Sequence, residues 1–122
     1  MKQALTLLAL AFAAPAMAKS IDEPMVATYP GTVTTAANAV AVACVARGWG
    51  ISERTDYAVT CSNLRADPGN KATFNFIDHA GQTTVQVVTR EPGAWGPNSF
   101  EPSTRMQKDV AILFAEIGAV PK

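Results

Sequence analysis

Apolar residues recur at the helical period from Val33 to Cys44, so this segment is predicted to be the first helix. Thr32 before the segment suits an N-cap, and Gly48 after it suits a left-handed stop. Alanines surround the apolar stripe, and small side chains let a helix approach a sheet closely. The pattern therefore predicts a helix whose inner stripe is buried against a flat surface.

After this helix the apolar period changes from 3.6 to 2, which is the period of a half-buried strand. Four alternating segments, separated by turn residues, predict a four-stranded antiparallel meander covered on one face. The predicted apolar face carries Trp49, Ile51, Tyr57, Val59, Cys61, Phe74, Phe76, Val85 and Val87. The predicted polar face carries Ser52, Thr60, Ser62, Thr73, Asn75, Thr84 and Gln86.

A second helical stripe runs from Met106 to Ile117 and ends at Gly118. Thr104 and Gln107 have the spacing of a capping box at its start. Because its stripe also needs burial, we expect this helix to cover the same sheet face as the first helix. The predicted fold class is α+β, with a two-layer α-β-β-β-β-α order, a four-stranded antiparallel meander and two helices on one face.

The beginning of the chain has the three zones of a cleavable signal peptide over residues 1–18. Lys2 precedes an apolar run, and Ala16-Met17-Ala18 provides small residues at the first and third positions before the cut. The apolar run is too short to span a bilayer, so we expect no membrane insertion after cleavage. Residues 19–31 are predicted to be an extended N-terminal arm and residues 32–122 a single domain, with a periplasmic or secreted location.

The balance of basic and acidic residues argues against a nucleic-acid partner. The chain has 10 basic and 10 acidic residues, and removal of Lys2 with the signal peptide leaves a slight negative excess. Nucleic-acid binding generally depends on a basic stripe, and none is visible, so no nucleic-acid partner is expected. The arginines at positions 47, 54, 65, 90 and 105 are scattered singly, which is typical of a solvated surface.

The segment Arg47-Gly48-Trp49-Gly50-Ile51, together with the element order, resembles small secreted bacterial proteins and lipoproteins of uncharacterised function. The resemblance implies this fold and an exported location. It implies no activity and no site, and the start of the last helix, Ser103-Thr104-Arg105-Met106, departs from the tyrosine- and asparagine-rich start expected in that group.

The two cysteines are the most informative pair of residues. Cys44 lies on the buried stripe of the predicted first helix and Cys61 on the apolar face of a strand, so both side chains point into one core. In an oxidising compartment such thiols normally pair, and the sequence therefore predicts a Cys44–Cys61 disulfide. A catalytic cysteine is the alternative, but it needs a base, and the single histidine, His79, is predicted to lie in a later hairpin turn.

Other catalytic and metal-binding sets are disfavoured. His79 follows Asp78, but no further Cys or His is free to complete a zinc site. Asp67, Asp78, Glu91 and Glu101 are predicted to lie in loops with no reason to converge. No cofactor is expected, and the sequence predicts a non-enzymatic protein.

The segment 91–102 breaks every periodicity yet contains Trp95 and Phe100. Aromatic residues on such a loop are either anchors for a partner protein or a plug that folds back onto the end of the sheet. We expect a small exported binding or accessory domain that recognises an envelope or extracellular protein through this loop or the threonine-rich sheet face. The alternative is a small-molecule or metal-binding periplasmic protein with a pocket near Trp49 and Tyr57.

Overall fold

The structure is a computed structural model that describes residues 24–63, 69–93 and 100–122. The predicted signal peptide and the loop residue Trp95 lie outside the described residues. The described elements, in chain order, are β1 (Met25–Tyr29), α1 (Val33–Ala46), β2 (Gly50–Arg54), β3 (Ala58–Ser62), β4 (Lys71–His79), β5 (Gln82–Pro92), β6 (Phe100–Glu101), α2 (Thr104–Ile117) and β7 (Val120–Pro121).

The α+β class is confirmed, but the sheet is wider than predicted. Six strands lie side by side in the order β2-β3-β4-β5-β1-β7, and every neighbouring pair is antiparallel. The short strand β6 pairs with the far end of β5. The described sheet is open, and the four predicted strands form one part of it rather than the whole.

The N-terminal segment is the main correction to the predicted architecture. Residues 25–29, predicted to belong to an extended arm, form β1 and pair with β5 from Met25↔Val87 to Tyr29↔Thr83. The segment lacks a clear alternation because both of its sides are apolar: Ala27 is fully buried in the core, while Val26 lies on the opposite face. β7 then pairs with β1, with Thr28 opposite Val120.

Both helices begin at a hydroxyl cap. Thr32 caps α1 as predicted, with its Oγ1 accepting a hydrogen bond from the Thr35 backbone N–H at 3.2 Å. The cap of α2 is Ser103 rather than Thr104, and its Oγ accepts from the Met106 N–H at 3.1 Å. Ser103 has extended backbone angles, as an N-cap requires, whereas Thr104 is already helical.

The core lies between the helices and one face of the sheet. The inner stripes of both helices are buried there, and Phe74 of β4 meets Phe114 of α2 edge to face at 6.5 Å between ring centroids. Trp49 is buried as predicted, but Tyr57 is 68% exposed and Ile51 is also exposed. Ile51 shares the inner face with its register partner Cys61, but it lies on the edge strand β2 and is 37% exposed. The bulge between Ile51 and Glu53 interrupts the alternation only further along this strand.

Among the described helices, none has the length and apolar character that a membrane crossing needs.

Candidate functional site

The predicted disulfide is present. Cys44 on α1 is joined to Cys61 on β3, with the two Cα atoms 6.4 Å apart. Both residues are fully buried, so the bond ties the helix to the sheet inside the core. A disulfide of this kind is compatible with an oxidising extracellular compartment.

Of the predicted partner-binding residues, Phe100 lies within the described part of the chain and Trp95 lies outside it. Phe100 contributes its backbone to β6, opposite Pro92. His79 is the exposed last residue of β4, one position before the turn in which it was predicted to lie. Trp49, named for the alternative pocket, is in the core, whereas Tyr57 is 68% exposed.

Two of the acidic residues do come together, contrary to expectation. Glu91 of β5 lies directly opposite Glu101 of β6 in the ladder. The two residues were predicted to lie in separate loop positions, but the end of β5 extends to Pro92 and carries Glu91 into the sheet. In the described parts of the chain, no group of three or more His, Cys, Asp or Glu residues could hold a metal ion.

The sheet face turned away from the helices is a mostly polar surface that the strands create. We call it the open face. Threonine hydroxyls and amides occupy much of it, and the Oγ1 atoms of Thr60 and Thr73 lie 3.1 Å apart across β3 and β4. On strands β1, β3, β4 and β5 the open face carries Val26, Thr28, Ala58, Thr60, Ser62, Lys71, Thr73, Asn75, Ile77, His79, Gln82, Thr84, Gln86, Val88, Arg90 and Pro92.

Two cations face each other on the open face. Lys71 of β4 is the register partner of Arg90 of β5, and both side chains are exposed. Among the described residues neither is in an ion pair, because the ion pairs present there belong to Arg47. The four strands carry no acidic residue on this face; Glu53, opposite Thr60, lies on the edge strand β2.

Like charges directly opposite each other destabilise a sheet, so an opposed Lys–Arg pair is an unfavourable choice for folding alone. Arg90 was predicted to be one of several arginines scattered on a solvated surface, and Lys71 was not among the candidate residues. The structure reveals the pair, because the two-residue turn at Ala80–Gly81 fixes the register and makes position 71 face position 90.

A second surface feature lies in the helix layer. A groove of about 620 Å³ runs between the outer side of α1 and the end of α2. Its walls are mostly apolar and include Tyr29, Ala39, Val42, Ala43, Ala46 and Ile117.

Charges at one end of this groove are paired within the chain. Arg47 Nη2 lies 3.3 Å from Asp109 Oδ1, and Nη1 lies 3.7 Å from Glu116 Oε1. The same guanidinium stacks over Trp49 with its Cζ 5.2 Å from the ring centroid. Arg47 is therefore half-buried between the helices rather than solvated as predicted.

Comparison with protein-family models, with curated proteins and with solved structures found no match. The fold and the two surfaces described above are therefore the basis for any assignment of function.

Proposed function

We propose that this chain is a small exported, non-enzymatic binding domain that recognises an acidic surface of another envelope or extracellular protein through the open face. The observation that carries the proposal is the opposed pair Lys71 and Arg90 on a face where four strands carry no acidic residue.

Electrostatics supports an acidic partner. The two opposed side chains repel each other in the free protein, and a carboxylate placed between them would relieve this repulsion. Arginine also forms bidentate hydrogen bonds with carboxylates, and it is enriched in protein interfaces.

The surroundings of the cationic pair suit a protein partner. Val88 precedes Arg90 on the same face of β5 and is exposed, as is Ile77 of β4 further along the sheet. Apolar contacts beside charged and polar groups are the usual composition of a specific interface. The hydroxyls and amides between them, on Thr73, Asn75 and Gln86, supply hydrogen-bonding groups.

The predicted export of this chain supports a partner in the envelope or outside the cell. The first 18 residues have the zones of a signal peptide, and the Cys44–Cys61 bond is compatible with an oxidising location. These features support an envelope or extracellular location for the proposed partner. They do not identify that partner.

Affinity capture with charge-reversal variants tests the proposal. The variant Lys71→Glu/Arg90→Glu reverses the cationic pair. The variant Arg105→Glu/Lys108→Glu makes the same change in charge on exposed positions of α2. We expect the wild type and the α2 variant to retain one and the same protein from the envelope or extracellular fraction, and the open-face variant to lose it.

Retention should also fall as salt is raised, because charge pairs at an interface rim are screened. Equal retention by all three proteins would contradict the proposal. So would the absence of any retained protein together with a small ligand detected by native mass spectrometry, which would favour the small-molecule alternative.

A further inference from the structure

The cationic pair on the open face lies beside the point where the chain enters the sheet. β1 begins at Met25, which is the register partner of Val87 on β5. The two strands are antiparallel, so the chain before Met25 approaches the end of β5 that carries Arg90. Arg90 is three positions beyond Val87, which is about 10 Å along the strand. The residues that precede β1 are therefore within reach of Arg90.

The two residues immediately before the described part of the chain are acidic. Asp22 and Glu23 precede Pro24, at which the description begins. Three residues of extended chain span about 10 Å, so Asp22 can reach the level of Arg90. Lys19 and the predicted mature terminus add positive charge, but they are at the free end of this segment and farther from the sheet. The carboxylates are thus the first charges that the chain brings to β5.

The surroundings of β5 leave the open-face side for this acidic segment. On the inner side, the Thr89 hydroxyl donates to the Ser103 carbonyl oxygen and accepts from the Ser103 N–H, both at 3.2 Å. The cap of α2 therefore occupies the inner side at this level. Further along the strand, β6 already pairs with Glu91 and Pro92. An acidic segment that stays near this end of β5 therefore lies over the open face.

We propose that the carboxylates of Asp22 and Glu23 occupy the cationic pair in the free protein and compete there with the acidic partner. The inference rests on the proposed function, because it assigns a competitor to the same site. Carboxylates next to Lys71 and Arg90 reduce the repulsion between the two cations.

The competition makes the open face selective. A short tether gives the Asp22 and Glu23 carboxylates an effective concentration on the order of millimolar at the cationic pair. A ligand with a single carboxylate displaces them poorly. A partner with several carboxylates in one patch displaces them readily, so the segment favours clustered acidic surfaces over isolated ones.

Carbodiimide cross-linking of the free exported protein tests the contact. The reagent joins a carboxylate to a lysine amine without a spacer, so it reports groups that lie in ion-pair contact. We expect peptide mass spectrometry to show an amide between Lys71 and Asp22 or Glu23. Lys108, exposed on α2, is the control and should form no bond with these two residues. Folded protein without the Lys71 cross-link would overturn the proposal and leave partner recognition through the open face intact.

Calorimetric titration with poly-L-glutamate at low salt tests the competition. Asp22→Asn/Glu23→Gln removes the competing carboxylates and should bind the polymer at least about threefold more tightly than the wild type. Asp56→Asn/Asp78→Asn makes the same change in net charge at exposed positions near the other end of the sheet, and it should bind like the wild type. Equal affinities of the two double variants would contradict the competition.

The charge-reversed variant Lys71→Glu/Arg90→Glu separates this failure from a failure of the proposed function. It should bind poly-L-glutamate more weakly than the wild type, whether or not the acidic segment competes. If it binds as tightly as the wild type, the open face does not recognise acidic groups, and both proposals fail. Thermal unfolding of each variant checks that it is folded.

Discussion

At the scale of single residues, Arg47 shows how one side chain connects several parts of the fold. It follows the last turn of α1, stacks on the buried Trp49 and pairs with Asp109 and Glu116 of α2. Its aliphatic stem contributes packing while its guanidinium reaches carboxylates at the surface, which is a common arrangement for arginine. Arg47 thereby links the end of α1 to α2.

The Cys44–Cys61 bond leads to a prediction about stability. The bond joins positions 17 residues apart, and closing a loop of this size stabilises a fold by about 3 kcal/mol in the chain-entropy model. We expect Cys44→Ala/Cys61→Ala to lower the free energy of unfolding by about this amount. Urea denaturation of the variant, the oxidised wild type and the reduced wild type measures it.

Reduction of the wild type should reproduce most of the loss, whereas the reductant should not change the stability of the double variant. Two reactive thiols in unreduced, denatured protein would show that the bond does not form.

At the scale of elements, the β4–β5 hairpin sets the register on which the open face depends. Its turn consists of Ala80 with φ 53° and Gly81 with φ 86°. Positive φ at both central residues is the requirement of a type I′ turn, for which Asn-Gly is the preferred sequence. Ala80 is the only described residue other than glycine with a positive φ, so it holds a conformation that its side chain disfavours.

Ala80→Asn should therefore stabilise the protein by about 0.5–1 kcal/mol, because asparagine tolerates the left-handed region better than alanine. Gly81→Ala is the opposing control. No atom lies within 4 Å of an added Cβ there, so its loss of stability would come from backbone conformation alone. Thermal denaturation measures both variants, and a destabilised Ala80→Asn would contradict this account of the turn.

The elements differed in how well the sequence predicted them. α1, α2 and the four strands from β2 to β5 were visible because apolar and polar residue types recur in each of them with a period, although β2 is mostly exposed. β1 was missed because Val26 and Ala27 make both of its sides apolar, and β7 because two residues have no period. Both strands depend on pairing with distant parts of the chain, which no local pattern records.

The candidate site was less predictable than the fold. Lys71 and Arg90 are 19 positions apart in the sequence, so their residue types alone do not indicate that they lie next to each other. Only the register of the β4–β5 hairpin places them opposite each other. The disulfide was predictable because each cysteine could be assigned to a buried side within its own element.

At the scale of the whole molecule, the sheet separates two surfaces of different chemistry. The helix layer presents the uncharged outer side of α1, and the open face presents hydroxyls, amides and the Lys71–Arg90 pair. We propose that the second surface recognises a partner.

Lysine acylation of the captured complex, read out by mass spectrometry, tests the central claim most directly. Lys71 and Lys108 are both exposed in the free chain, one on the open face and one on α2. We predict that the partner protects Lys71 from acylation while Lys108 reacts as it does in the free protein. A complex in which Lys71 reacts as fast as in the free protein would contradict recognition through the open face.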